Sequence, residues 1–68
     1  QKGVYARYDI EKGERLDISK VKFLRPKGKN SPKDFWEYFQ NMPVNTNVCS
    51  GEEIHIGQIE STKGGIDL

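Results

Sequence analysis

Ile10-Glu11-Lys12-Gly13-Glu14-Arg15-Leu16-Asp17-Ile18-Ser19-Lys20-Val21 and Val48-Cys49-Ser50-Gly51-Glu52-Glu53-Ile54-His55-Ile56-Gly57-Gln58-Ile59 are two versions of one pattern. They align without a gap at an offset of 38 residues (48 − 10), with apolar residues at the first, seventh, ninth and twelfth positions and Gly-Glu at the fourth and fifth. Each copy reads as a strand end, a tight glycine turn and a short returning strand of period two. Gly13 and Gly51 fall at the turn, where a positive φ suits glycine because it has no Cβ to clash. One supersecondary unit written twice predicts a pseudo-two-fold body in which each half covers the apolar face of the other.

What precedes each copy extends it. Val4-Tyr5-Ala6-Arg7-Tyr8 is rich in strand formers and is expected to be a strand. Val44-Asn45-Thr46-Asn47-Val48 takes the same place before the second copy, entered through Pro43. A proline donates no ladder hydrogen bond, so it belongs at a strand start or an edge.

The helical signal lies between the halves. Ser31-Pro32-Lys33-Asp34 offers an N-cap, proline at the first helical position and a carboxylate in the first turn. Phe35, Trp36, Phe39 and Met42 then share one face, which in so small a domain makes them the plug of the core. Asn41 is suited to the left-handed residue that ends the helix. Lys22-Phe23-Leu24-Arg25-Pro26-Lys27-Gly28-Lys29-Asn30 is basic and interrupted by proline and glycine, and is expected to be an exposed loop. From Ser61 the chain has no periodicity and carries two adjacent glycines, so 61–68 is expected to be a flexible tail or linker after a domain spanning 1–60.

Composition narrows the function classes. A chain of 68 residues is one domain, and at this size buries only about 60% of its unfolded surface. One cysteine and one histidine make neither an internal disulfide nor a zinc site. Eleven basic residues against ten acidic ones give a net charge of +1, unlike a dedicated nucleic-acid binder. There is no run of membrane-spanning length and no signal-peptide pattern, and a lone reduced Cys49 fits a cytoplasmic setting. The chain opens on Gln1 rather than methionine and is expected to be a segment of something longer.

Val4-Tyr5-Ala6, Asp9-Ile10-Glu11-Lys12-Gly13-Glu14 and Leu24-Arg25-Pro26, followed by Val48 through Gly51-Glu52 to Ile59-Glu60, resemble the SAF (antifreeze-like) domain that closes the C-terminus of sialic acid synthases. The resemblance covers roughly Lys2 to Glu60. It implies a mostly β fold, the β-clip, with a pseudo-two-fold repeat of short strands and one short central helix. It also implies a partner, a TIM-barrel catalytic domain of the same or the dimer-related chain. With a divalent metal, that barrel condenses phosphoenolpyruvate with N-acetylmannosamine. The SAF domain itself would carry no cofactor and no catalytic residue. It would cap the barrel mouth and offer the arginine of its "R-P" loop, which matches Arg25 here, to the N-acetylated sugar. Neither nucleic acid nor membrane enters this picture. The chain has Asn41-Met42 where the family has Gly-Lys, and Lys2-Gly3 where it has a basic residue and serine. A related nonulosonic acid synthase acting on another N-acyl sugar is thus an alternative. So is a non-enzymatic SAF protein, an antifreeze or a pilus or flagellar assembly factor.

Taken from the residues alone, Arg25 is one more solvated basic side chain beside Lys20, Lys22, Lys27 and Lys29. Its chemistry nevertheless suits the role: a planar, permanently charged fork recognises acyl oxygens and hydroxyls, and the following proline confines its backbone to extended conformations. His55 is expected on the surface opposite Ile54 and Ile56, Cys49 is expected to be structural, and Glu52-Glu53 to be solvated turn residues pointing to opposite faces. In the antifreeze alternative the ice-matching surface would fall where Lys12, Glu14, Arg15, Asp17 and Lys20 stand, and their hydration shells oppose it.

Overall fold

The computed structural model describes residues 1–60; the tail expected at 61–68 lies outside the described residues. The architecture is small and mostly β. Strand β1 (Gly3–Ala6) pairs antiparallel with β2 (Val21–Leu24), placing Gly3 opposite Leu24, Val4 opposite Phe23, Tyr5 opposite Lys22 and Ala6 opposite Val21. The remaining β structure consists of single bridges: Tyr5 with Glu53, Ile10 with Val48, Arg15 with Pro43, and Val44 with Ile59.

These contacts repeat at the offset read from the sequence. The N–H of Gly13 donates to the carbonyl of Val44, and the N–H of Gly51 donates to that of Ala6, both at 2.8 Å. Ala6 N–H to Glu52 and Val44 N–H to Glu14 follow, both at 2.9 Å. Leu16 N–H reaches Met42 at 2.9 Å, and Ile54 N–H reaches Val4 at 2.8 Å. Side chains obey the same rule: Asp9 Oδ1 accepts from Ser50 N–H and Asn47 Oδ1 accepts from Lys12 N–H, each at 2.8 Å. Every bond crosses from one half to the other, so neither half satisfies its own backbone alone. Gly13 and Gly51, at φ 93° and 86°, make the two equivalent turns.

The returning segments differ from the expected period-two strands. Leu16 and Val21 are buried, as are Ile54 and Ile59, but Ile18 and Ile56 are exposed. Between each buried pair the chain makes a 3-10 turn, Ile18–Lys20 in one half and Ile56–Gln58 in the other. A single 3-10 turn at the ninth to eleventh positions, entered and left through extended residues (Asp17 and Val21, His55 and Ile59), leaves the ninth position outside and returns the chain to the core at the twelfth. The segment 44–48 likewise forms bridges at Val44 and Val48 rather than a continuous strand.

The core is Val4, Ala6, Ile10, Leu16, Val21, Phe35, Phe39, Val44, Val48, Ile54 and Ile59. Both halves supply it, and the helical segment closes it. Ser31 caps α1 (Pro32–Asp34): its N–H donates to Asp34 Oδ2 at 3.0 Å and its hydroxyl accepts from Asp34 N–H at 3.4 Å. The chain then runs into a π turn (Phe35–Phe39), closed by Gln40 N–H on the Phe35 carbonyl at 2.9 Å, and leaves through Asn41 at φ 63°. Phe35 and Phe39 are fully buried, and Met42 packs against the core from its margin. Trp36, expected inside, stays 50% exposed. It stands one residue on from Phe35, about 100° round a helix, and meets that ring edge-on at a centroid distance of 5.0 Å.

Candidate functional site

Lys22, Phe23 and Leu24, expected to open an exposed loop, instead form β2. Their alternation explains this: Val21 is buried and Phe23 packs edge-on against Phe35 at 5.8 Å, while Lys22 and Leu24 face outward. The loop proper begins at Arg25. Arg25, Pro26, Lys27 and Lys29 are exposed, and Gly28 and Asn30 are half-buried; the Arg25–Pro26 peptide is cis.

This loop is tied down along its length. It folds back over the outer face of β1, where the Tyr5 hydroxyl donates to the Pro26 carbonyl at 2.7 Å. Gly28 lies against Gly3 so closely that a Cβ on Gly3 would stand 2.6 Å from the Gly28 nitrogen. The Glu53 carboxylate accepts from the Lys29 N–H. Asn30 Oδ1 accepts from Ile56 N–H at 2.9 Å, joining the loop to the second 3-10 turn. Tyr5 and Glu53 are themselves bridge partners, so the two principal anchors stand side by side on the sheet. Arg25 is therefore held on a rigid base while its own side chain has no carboxylate at ion-pair distance among the described residues; the ion pair found there is Lys20 with Glu14 at 3.5 Å.

Two carboxylates have lowered pKa values, Asp34 at the end of this loop and Asp17 at the head of the first 3-10 turn. At Asp34 the hydrogen bond from the Asn30 amide is the largest cause, followed by the Ser31 backbone N–H, so the loop end and the helix start share one acceptor. At Asp17 the Ser19 hydroxyl is the main cause.

Elsewhere the surface offers little chemistry. A shallow depression of about 240 Å³ lies on the pseudo-two-fold axis, lined by Asp9, Ile10, Glu11, Asn47, Val48 and Cys49. Asp9 and Asn47 are already engaged as turn caps there. Cys49, expected to be structural, is exposed, and its backbone N–H donates to Glu52 Oε1 at 2.9 Å. His55 is half-buried rather than on the open surface, because it occupies the position of Asp17 at the head of the second 3-10 turn. Among the described residues no group of three or more His, Cys, Asp or Glu is placed to hold a metal ion, and no helix is long and apolar enough to cross a membrane.

The site residue singled out in the sequence, Arg25, thus lies on an exposed, anchored loop. The anchors Tyr5 and Glu53 were not singled out. Glu53 looks like a turn residue in sequence, and only its cross-half bridge to Tyr5 brings it to the loop. No protein-family model matches the chain, and no curated protein matches it significantly.

Proposed function

We propose that this chain is a SAF-type β-clip domain acting as the C-terminal substrate cap of a sialic acid synthase, the enzyme that condenses phosphoenolpyruvate with N-acetylmannosamine. The observation that carries this reading is the placement of Arg25. It projects from a loop pinned at Pro26, Gly28, Lys29 and Asn30 and finds no internal ion-pair partner among the described residues. A guanidinium so held is available to something outside the domain, and its base costs little ordering entropy on contact. The pseudo-two-fold exchange of backbone hydrogen bonds supports the β-clip assignment that the sequence resemblance suggests.

In this reading the domain performs no bond-making step. Arg25 binds an acyl oxygen or hydroxyl of the N-acetylated sugar, and the body of the domain closes the barrel mouth against water. The divalent metal belongs to the barrel, where it supplies Lewis-acid chemistry; the residues of this chain orient substrate. The setting is cytoplasmic. The test is the parent protein: a barrel-sized domain of about 250 residues in the same reading frame, and turnover of phosphoenolpyruvate with N-acetylmannosamine. A parent lacking both would overturn the reading.

A further inference from the structure

Charge is not spread evenly over this domain. Although basic and acidic residues are nearly equal in number, Lys20, Lys22, Arg25, Lys27, Lys29 and Lys33 follow one another with no acidic residue between the first and the last. Folding does not neutralise them. Lys20 reaches Glu14, but no other basic residue of this run has a carboxylate at ion-pair distance among the described residues. Two carboxylates border the run: Glu53 is occupied by the backbone N–H of Lys29, and Asp34 by the Asn30 amide and the Ser31 N–H.

The exposed part of this run is also pre-shaped. Leu24, Arg25, Pro26, Lys27 and Lys29 are all exposed, on a backbone fixed through Tyr5, Gly3 and Glu53. Leu24, 42% exposed, places an apolar contact beside the cations. We infer that Leu24, Lys27 and Lys29, on either side of Arg25, form a docking surface for an acidic protein surface.

The same features disfavour other anions. Single-stranded nucleic acid is gripped by exposed aromatic platforms beside the cations, but here the aromatic residues beside them, Tyr5 and Phe23, are both half-buried, Phe23 edge-on against Phe35. A small phosphate would use converging backbone N–H groups, and the Lys29 N–H already serves Glu53. A lipid surface calls for an amphipathic helix or several inserting apolar residues, and Leu24 is one residue on a loop. A rigid mixture of cations and one apolar contact fits a protein rim, where opposite charge speeds encounter and sets orientation. Under the capping reading that rim surrounds the barrel mouth, but the charge argument stands without it.

The experiment is an amide NMR titration of the 68-residue chain with a synthetic peptide of alternating glutamate and leucine. Parallel titrations use oligo-thymidine, phosphatidylserine vesicles and inorganic phosphate. Shifts are expected at Tyr5 and residues 22–29, with affinity falling several-fold between about 50 and about 200 mM salt. K27E/K29E is expected to abolish them, and the exposed pair K2E/K12E to leave them unchanged. Thermal unfolding of both variants separates lost binding from lost structure. Shifts distributed over Lys2 and Lys12, indifference to K27E/K29E in a folded protein, or tighter binding of any of the other three probes would overturn the inference. None of these outcomes bears on Arg25 and the sugar.

Discussion

Ile10 and Val48 exchange both of their backbone hydrogen bonds, N–H to carbonyl at 2.8 Å in each direction. They are also the first residues of the two copies of the repeated sequence, so the pseudo-two-fold axis passes between them. Closing bonds of the same kind reach outward on both sides, to the two glycine turns and the two 3-10 turns. Stability in this domain is consequently shared: a lesion in one half removes partners from the other.

Gly13 and Gly51 offer a direct check of that symmetry. A Cβ at either meets nothing within 4 Å, so alanine there costs backbone strain alone. Gly13→Ala and Gly51→Ala are each expected to destabilise by about 1–2 kcal/mol, by similar amounts, in urea unfolding. A neutral result at one site and a large loss at the other would contradict the equivalence.

The helical segment should divide by burial rather than by chemistry. Phe39→Ala empties a fully buried position and is expected to cost about 3–5 kcal/mol. Trp36→Ala, on the half-exposed neighbour, is expected to cost well under half as much. Chemical denaturation of the two variants measures the difference, and equal losses would mean that Trp36 is a core residue after all.

The helix cap supplies a pH signature. Hydrogen bonds from Asn30 and Ser31 hold the Asp34 pKa below its ordinary 3.8. A carboxylate lowered on folding contributes stability that is present above that ordinary value and lost as pH falls through the folded value. The difference in Tm between wild type and Asp34→Asn should therefore narrow as pH falls from about 5 to about 2. A constant difference across that range would show that the charge is irrelevant. Ser31→Ala is expected to lose about 0.5–1 kcal/mol at neutral pH.

Loop rigidity rests on Tyr5 and Glu53. Tyr5→Phe removes the bond to Pro26 and is expected to cost about 1 kcal/mol; Glu53→Gln weakens the grip on the Lys29 N–H. Hydrogen exchange should show the Lys29 amide losing protection in Glu53→Gln while the Ile10 and Val48 amides keep theirs. Unchanged Lys29 protection would mean that the loop is held by other contacts.

Much of this was legible in the sequence because the repeat is local and gapless. The glycine turns, the capped helix, the left-handed Asn41 and the buried first, seventh and twelfth positions all follow from residue type and spacing. What escaped depends on geometry between segments. The outward ninth positions, Ile18 and Ile56, follow from 3-10 turns that mimic a strand's alternation in a short stretch. Lys22-Phe23-Leu24 was hidden because its basic residues and the following Pro26 imitate a loop, whereas its register with β1 settles it as strand. Glu53 meets the loop only through a bridge between the halves. Arg25 stood out in the sequence through resemblance alone; its anchoring became visible only in three dimensions.

The most direct test of the capping account is steady-state kinetics of the full-length parent, wild type against Arg25→Ala, with phosphoenolpyruvate and N-acetylmannosamine varied in turn. Losing a charge-assisted contact to the sugar predicts a fall of about 10- to 100-fold in kcat/KM for N-acetylmannosamine, with the constant for phosphoenolpyruvate nearly unchanged. An active parent in which Arg25→Ala alters neither constant would contradict the assignment of Arg25 as the sugar contact.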